Sequence, residues 1–213
     1  MQISTIFFDL DDTLYPRESG VWQTVRARIE DYMRDRLAIP EPQVSILREK
    51  YLKQYGTSLR GLMADYKIDA EDYLAFVHDV DIEGMISPNA KLAEMLAKLP
   101  QRKWIFTNSS TTHSQRVLNA LGVTAHFDGI LDIKAMNYSS KPDASAYSLA
   151  VEKTGTHSLA NTLFLDDQPG NLEPARRLGA ATVLVGNPDN HSSADRLIQR
   201  AEDLLSAWPE LAV

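Results

Sequence analysis

The sequence predicts an α/β protein: a doubly wound, mostly parallel sheet with a helical domain inserted after the first strand. Three observations favour this class. Short apolar runs alternate with segments of helical periodicity, which is typical of strands joined by crossover helices. Polar clusters directly follow four of the apolar runs. The stretch 15–87, by contrast, contains no convincing strand.

Five apolar runs are predicted as strands and five longer segments as helices. The strands are expected at residues 3–8, 104–106, 129–133, 162–165 and 181–185. The helices are expected at residues 89–99, 112–121, 143–153, 171–178 and 194–207. Gly122 and Gly179 follow two of these helices, at the position where glycine commonly ends a helix.

Residues 15–87 break the alternation and are predicted to form a helical domain of their own. Helical spacing occurs at residues 21–37, 44–55, 59–66 and 70–80. Pro16 and Pro88 flank the stretch, and prolines suit domain junctions. The predicted organisation is an α/β core of residues 1–14 and 88–213, with the helical domain of residues 15–87 inserted into it.

Composition excludes several classes of function. The 213 residues carry a net charge of −7 and no cysteine. The negative charge disfavours a nucleic-acid polymer as partner, because such binding needs a basic surface. The absence of cysteine excludes disulfides and cysteine nucleophiles. No apolar run is long enough to cross a bilayer, and no signal-type segment is visible, so we expect a cytoplasmic protein without a membrane partner.

The first apolar run ends in a group of acids, Asp9, Asp11 and Asp12, followed by Thr13. Residues two apart on an extended chain point the same way, so Asp9 and Asp11 are expected side by side at the end of a strand. Adjacent carboxylates repel each other, and a bound cation relieves that repulsion. An acidic loop after a strand can also be a solvated turn.

Three further polar clusters follow apolar runs: Thr107-Asn108-Ser109-Ser110, Lys141-Pro142-Asp143 and Asp166-Asp167. Each has a purely structural explanation as a helix cap, a surface lysine or a turn. Together they argue for a site, because the carboxyl ends of parallel strands share one edge of the sheet. Hydroxyls, a lysine and carboxylates at such an edge suit a phosphate group and Mg²⁺.

The order Asp-x-Asp-x-Thr, Thr-Asn, Lys-Pro and Asp-Asp resembles the four motifs of the haloacid dehalogenase (HAD) superfamily. This resemblance implies a Rossmann-like HAD core with a helical cap. The segment YGTSLRGL at residues 55–62 and the run from Phe106 to His113 are similar to the pyrimidine 5′-nucleotidase-like branch. The branch often has Asn where Asp12 stands.

The resemblance also implies a role for each motif residue in a Mg²⁺-dependent phosphatase. Asp9 attacks phosphorus and forms an aspartyl-phosphate, while Asp11 protonates the leaving oxygen and then activates water. Thr107, Asn108 and Lys141 bind the phosphoryl group. Asp9, Asp166 and the main-chain carbonyl of Asp11 hold Mg²⁺, with Asp167 supporting the metal site. The acid role requires a protonated Asp11, and a crowded acidic site is expected to raise its pKa.

Selectivity is expected to come from the helical domain, which can close over the core. Arg60 is the predicted substrate contact there, with a solvated helix arginine as the alternative. The histidines His78, His113, His126, His157 and His191 show no metal-ligand spacing. Only His113 lies near a motif, so it is the one histidine to test.

The favoured function is hydrolysis of a small phosphate ester, first of all a pyrimidine nucleoside 5′-monophosphate. A phosphatase for a sugar phosphate or phosphoglycolate is the alternative within enzymes. Hydrolytic dehalogenation is disfavoured, since it needs no metal and leaves Asp11 without a role. A receiver-like signalling module, phosphorylated on aspartate, and an inactive binding protein are the alternatives from other classes.

Overall fold

The computed structural model describes residues 3–186 and 194–212. Its strands are β1 (Thr5–Phe8), β2 (Arg102–Phe106), β3 (Gly129–Leu131), β4 (Thr162–Asp166), β5 (Ala181–Val185) and β6 (Arg196–Ile198). The helices before β2 are α1 (Val21–Asp31), which continues as a π-helical turn at Tyr32–Arg36, α2 (Glu41–Tyr55), α3 (Ser58–Tyr66), α4 (Ala70–Val77), α5 (Ile82–Met85) and α6 (Ala90–Ala97). Those after β2 are α7 (Thr111–Leu121), α8 (Ala144–Thr154), α9 (Pro169–Arg177) and α10 (Leu204–Ala207).

The six strands form one sheet in the order β3-β2-β1-β4-β5-β6, and every neighbouring pair is parallel. This confirms the predicted fold class. Phe8 at the end of β1 is in register with Ile105 of β2 and Leu165 of β4. The residues that follow β1, β2 and β4 therefore emerge side by side at one edge of the sheet.

The central strand β1 is buried on both faces, which is why it consists only of apolar residues and one threonine. Ile6 and Phe8 point into one core, whereas Phe7 points into the other, as the alternation of a strand requires. In the second core Phe7 stacks on Phe164 with ring centroids 4.7 Å apart. Burial of each such ring contributes roughly 1.5–3 kcal/mol, so β1 is firmly fixed at the centre of the sheet.

Helices α1 to α5 lie between β1 and the helix that leads into β2, and we call this group the insert. Side chains cap several of these helices: Thr57 accepts a hydrogen bond at the start of α3, and Asp69 accepts two at the start of α4. Helices α2 and α3 approach closely because Gly61 faces Tyr51; a Cβ at Gly61 would lie 2.1 Å from the ring. The boundaries 15–87 stay a prediction.

The predicted helix at 194–207 is wrong. Residues Arg196–Ile198 form the edge strand β6, followed by a 3-10 turn and the short α10. Leu197 pairs with Leu184 of β5, and the Asp195 carboxylate accepts hydrogen bonds from the backbone and hydroxyl of Thr182. Pairing with the exposed edge of β5 thus prevails over helical spacing, which is only a weak local preference.

None of the helices within residues 3–186 and 194–212 combines the length and the apolar character that crossing a bilayer requires.

Candidate active site

Asp9 is the first residue after β1, and backbone hydrogen bonding fixes its position. Its N–H donates to the carbonyl of Leu165 at 2.9 Å, which continues the pairing with β4. Its carboxylate accepts hydrogen bonds from the Thr13 hydroxyl at 3.0 Å and from Lys141 Nζ at 2.6 Å. The side chain is almost fully buried but lines a cleft, so it is oriented and still reachable.

Asp166 occupies the equivalent position at the end of β4. Lys141 Nζ donates to its Oδ2 at 2.7 Å, so one ammonium group bridges Asp9 and Asp166. The Asn171 amide and the backbone N–H of Gln168 donate to Asp166 Oδ1 at 3.0 and 2.9 Å. Both acids are therefore held by several donors, although they lie 157 positions apart in the chain.

The loop that carries Lys141 is held by Asn108. The Asn108 side chain accepts from the backbone N–H of Lys141 at 2.9 Å and donates to its carbonyl at 3.0 Å. The oxygen and the nitrogen of the Asn108 amide are therefore both used. Asn108 positions Lys141, whereas the sequence predicted that it binds the phosphoryl group. Thr107 follows β2, lines the cleft, and accepts through its hydroxyl from the N–H of Ser109 at 3.0 Å.

The electrostatics of this group are those of three neighbouring acids: Asp9 and Asp166 share the buried Lys141, whereas Asp167 pairs with the exposed Arg17 at 3.3 Å. Burial, with the charges of Asp166 and Asp167, raises the pKa of Asp9 well above its usual value, against the opposing charge of Lys141. Burial and the Asp166 charge raise the pKa of Asp167 to about 7. Burial disfavours the charged form of Lys141, but the two neighbouring acids outweigh it and raise that pKa. The neighbouring cations therefore do not fully balance the negative charge of the three acids.

A divalent cation can supply the missing positive charge. Asp9, Asp166 and Asp167 can each offer one carboxylate oxygen, and these three atoms lie within 4.8 Å of one another. We call these residues the acidic cluster. An all-oxygen donor set with several negative charges suits Mg²⁺, so the residues fit the predicted metal. The expected contribution of the Asp11 carbonyl stays a prediction.

Asp11 has a different environment from the one the sequence indicated. Its Oδ1 lies 2.7 Å from His113 Nε2 and accepts from the Tyr15 hydroxyl at 2.6 Å, while its Oδ2 accepts from the Ser109 hydroxyl at 2.5 Å. Burial raises the pKa of Asp11, but His113 and the two hydroxyls outweigh burial and leave that pKa below its usual value. The expectation of a raised pKa is wrong, because these three partners stabilise the carboxylate.

His113 in turn contacts a second buried histidine. The ring of His78, the residue that ends α4, stacks on His113 with centroids 4.5 Å apart, and its Nδ1 lies 2.9 Å from the Ser110 hydroxyl. Burial and the neighbouring His113 lower the pKa of His78 to about 3, so this ring is neutral near pH 7. The cleft lining includes neither His126 nor His157, and His191 lies outside the described residues.

The cleft between these groups and the insert has a volume of about 440 Å³. The core side contributes the polar residues described above. The wall on the insert side is mostly apolar and aromatic. These members come from α1 to α4: Trp22, Val25, Ile29, Leu52, Leu59, Tyr73, Leu74 and Val77. A phosphate ester with a substantial apolar or planar portion therefore matches both walls.

Two arginines of the insert also line the cleft, Arg26 and Arg48. Their Nε atoms lie 3.3 and 3.1 Å from the same oxygen of Glu30. The Arg48 N–H is not directed at that oxygen, so its buried Nε has no hydrogen-bond partner within the described structure. Two cations sharing one carboxylate leave a surplus positive charge in the wall.

Arg60, the expected substrate contact, is not among the residues that line this cleft. Its guanidinium donates to the Tyr55 carbonyl at 2.6 Å and to the Ser140 hydroxyl at 3.1 Å, and it forms an ion pair with Asp143. Arg60 thus ties the insert to the loop that carries Lys141, and its expected contact with substrate stays a prediction. Arg48, in contrast, is an arginine of the insert that does line the cleft.

Sequence reasoning missed several residues of the site. Tyr15 adjoins the first motif and Asn171 follows the fourth, so inspection of the polar neighbours of each motif could have found them. Ser109 was placed in the second cluster, but its contact with Asp11 was not foreseen. Arg48 has no such signal, because its position in the cleft depends on how α2 packs against α1.

The comparisons with known proteins agree with this geometry. A family model described as a hydrolase, haloacid dehalogenase-like hydrolase, matches residues 3–179. A curated relative, Phosphate metabolism protein 8 of Saccharomyces cerevisiae, is 30% identical over 91% of this chain. This chain spans 65% of that relative's length. Enolase-phosphatase E1 of Synechococcus elongatus is 24% identical over 89% of this chain and 91% of the relative.

Solved structures show the same fold at low identity. YfnB of Bacillus subtilis, a structure with bound magnesium, has a TM-score of 0.66 at 17% identity and covers 97% of this chain and 98% of that one. The L-2-haloacid dehalogenase of Xanthobacter autotrophicus reaches 0.62 at 18% identity over 95% and 97%. At these identities the likeness concerns the fold alone.

Proposed function

Since the chain belongs to the haloacid dehalogenase-like hydrolase family, we propose that it is a magnesium-dependent phosphatase acting through an aspartyl-phosphate. Its proposed substrates are small phosphomonoesters, first of all a pyrimidine nucleoside 5′-monophosphate. The observation that carries the proposal is the position of Asp9: a buried carboxylate at the cleft, bridged by Lys141 to Asp166. A fixed carboxylate facing a cleft is the arrangement that a nucleophile needs.

In the first step an oxygen of Asp9 attacks phosphorus in line with the ester oxygen. The new bond joins Asp9 to phosphorus, and the ester P–O bond breaks. The leaving oxygen takes a proton from Asp11, which must first bind that proton from solvent because its three donors favour the carboxylate in the resting protein. Thr13 and Lys141 each donate to one oxygen of Asp9 and thereby fix its carboxylate at the cleft. Phosphoryl transfer depends mainly on such positioning and on charge neutralisation.

In the second step a water molecule attacks the phosphorus of the aspartyl-phosphate and gives its proton to Asp11. The P–O bond to Asp9 breaks, and inorganic phosphate leaves. Asp11 must be a carboxylate for this step, which the three hydrogen bonds from His113, Tyr15 and Ser109 favour. An acid and base of this kind contributes about 10²–10⁴-fold.

Thr107 and Lys141 are the proposed phosphoryl-binding groups, because both line the cleft beside Asp9. The acidic cluster would hold Mg²⁺, with Asp9 and Asp166 as ligands and Asp167 in support. When bound, this ion supplies positive charge that offsets repulsion between the carboxylates and an incoming phosphate. That supply is essential in a protein of net charge −7.

The insert wall supports a nucleotide over the smaller esters. Trp22 and Tyr73 offer aromatic surfaces, and the Nε of Arg48 lacks a hydrogen-bond partner in the described structure. A planar base carrying carbonyl acceptors can pack on such surfaces and accept from such a donor. A sugar phosphate or phosphoglycolate, the second candidate class, would leave this apolar wall without a partner.

The remaining alternatives have less support. A receiver-like module is set aside, because the chain belongs to a family of hydrolases. Dehalogenation would use neither Asp11 nor a metal ion, although Asp11, Asp166 and Asp167 are all assembled beside Asp9.

The proposal is tested by measuring phosphate release from a panel of esters with Mg²⁺ and with EDTA. The panel contains pyrimidine and purine nucleoside 5′-monophosphates, hexose phosphates, phosphoglycolate and p-nitrophenyl phosphate. We expect Mg²⁺-dependent release, with the highest kcat/KM for a pyrimidine nucleotide. A preference for phosphoglycolate or a hexose phosphate would contradict the substrate class, and release in EDTA would contradict the metal requirement.

A further inference from the structure

A pair of buried histidines connects Asp11 to the insert. The reaction proposed above uses His113 only to favour the Asp11 carboxylate and gives His78 no role. His113 is fully buried on α7, and His78 is nearly so at the end of α4. Burying two imidazoles against each other is unfavourable unless their polar atoms are used. The contacts of the pair therefore indicate what it does.

The contact between His113 and Asp11 is short and directed. His113 Nε2 lies 2.7 Å from Asp11 Oδ1, whereas His113 Nδ1 has no hydrogen-bond partner among the described residues. This pattern assigns the hydrogen to Nε2, which donates to the carboxylate. Nδ1 is then the unprotonated nitrogen, which can only accept a hydrogen bond. No N–H group of His113 is therefore left without a partner.

The other two contacts of Asp11 complete a three-point grip. The hydroxyls of Tyr15 and Ser109 donate to its two oxygens at 2.6 and 2.5 Å. Three donors from three directions leave the carboxylate one orientation. His113 is the member of this grip that comes from α7.

We propose that His113 is a positioning residue that fixes the orientation of Asp11 for its acid and base steps, and that His78 supports it by stacking. This inference rests on the role proposed for Asp11. His78 closes the arrangement from the insert side, since it stacks on the His113 ring and lies 2.9 Å from the Ser110 hydroxyl, which caps α7. The packing of the insert thereby bears on the orientation of the acid.

The test compares two substitutions of similar polarity and size. The side-chain amide of glutamine can place an N–H near the position of Nε2, whereas that of asparagine reaches only as far as Nδ1. We expect His113→Asn to lower kcat about 10–100-fold with KM changed less than about 3-fold. His113→Gln should recover at least half of that loss on a logarithmic scale. His157→Asn, an exposed histidine, is the matched control and should leave kcat unchanged.

A double-mutant cycle shows whether His113 acts through Asp11. In the Asp11→Asn background, His113→Asn should change the remaining hydrolysis of p-nitrophenyl phosphate less than 2-fold, because the group it positions has already been altered. A loss in that background as large as in the native protein would overturn the inference. So would a native kcat in His113→Asn.

His78→Phe provides a second line of evidence that does not depend on substituting His113. It keeps an aromatic ring over His113 but loses the contact with Ser110, so we expect a drop in kcat of about 3–10-fold that is absent in the His113→Asn background. Additive losses would overturn the supporting role of His78. Failure of the proposed function is distinguishable, because the unsubstituted protein would then release no phosphate from any ester with Mg²⁺.

Discussion

The two walls of the cleft differ in how they are built. On the core side, the polar side chains leave adjacent strand ends and are bound to one another, as in the bridge from Lys141 to Asp9 and Asp166 at 2.6 and 2.7 Å. On the insert side, the wall is assembled from separate helices, is mostly apolar, and contains Arg26 and Arg48 with one carboxylate between them.

The contrast between the two walls indicates which side of the cleft can accept substitutions. The charged groups of the core side, Asp9, Asp11, Lys141 and Asp166, each have several partners. Changing one of them therefore disturbs the others, as is typical of preorganised catalytic sites. The residues of the insert wall contact each other much less through polar groups, so an exchange there leaves the charged network of the core side intact. Substitutions on the core side should therefore abolish chemistry, whereas those on the insert side should change the choice of substrate.

Asp9→Asn, on the core side, should cause the largest loss of activity. An amide cannot attack phosphorus, so we expect phosphate release to fall by at least about 10³-fold for every ester. Rapid-quench detection of phosphorylated protein should likewise give no signal. Asp12→Asn is the control in the same loop and should retain most activity, because the Asp12 carboxylate is bonded to Arg17 and not to Asp9 or Lys141. Phosphate release by Asp9→Asn at an ordinary rate would refute Asp9 as nucleophile.

Lys141→Met should be next, with losses of both activity and stability. Removing a buried cation leaves Asp9 and Asp166 facing each other, which costs about 3–5 kcal/mol and lowers kcat/KM about 10²–10³-fold. Thermal unfolding in EDTA should show a clear drop in Tm, and Mg²⁺ should restore part of it. Lys53→Met, at an exposed position of α2, should change neither quantity. A Tm equal to that of the native protein would contradict the bridging role.

The core side was also the part that the sequence predicted best, for a physical reason. Asp9, Thr107 and Asp166 follow apolar runs directly, and parallel pairing brings such positions together without further information. The state of Asp11 was not predictable in this way. It depends on His113, which lies 102 positions away and whose ring direction is set by the packing of α7.

The insert side and the C-terminal edge resisted prediction because tertiary contacts decide them. Arg60 and Arg48 are both helix arginines in the sequence, yet one pairs with Asp143 and the other lines the cleft. Helical spacing likewise favoured a helix at 194–207, but β5 offers an unpaired edge that β6 occupies. In each case the deciding partner is distant in sequence.

Arg48→Gln compared with Arg60→Gln tests the insert wall. We expect Arg48→Gln to lower kcat/KM for a nucleoside 5′-monophosphate about 10–100-fold, since a charge-assisted hydrogen bond to the base is lost. Hydrolysis of p-nitrophenyl phosphate, which has no such acceptor pattern, should change less than about 3-fold. Arg60→Gln should leave the ratio of the two substrates unaltered and instead lower Tm, because it releases the contact with the Lys141 loop. Equal effects of Arg48→Gln on both substrates would mean that this wall does not select.

Asp167→Asn should have the smallest effect, and that effect depends on pH. The folded protein holds Asp167 with a pKa of about 7, against an ordinary value of 3.8. Between these values the folded state binds a proton that the unfolded state lacks, so this group lowers stability as pH rises, and the full penalty is present above pH 7. In EDTA at pH 8, Asp167→Asn should therefore raise Tm by a few degrees, as about 1 kcal/mol corresponds to about 2–4 °C for a domain of this size. The difference should vanish below pH 4, where both states are protonated.

With saturating Mg²⁺ at pH 8 the order should reverse, because the ion stabilises the native acidic cluster more than the substituted one. A Tm difference of the same size at pH 4 and pH 8 would show that repulsion among the carboxylates does not destabilise the metal-free site.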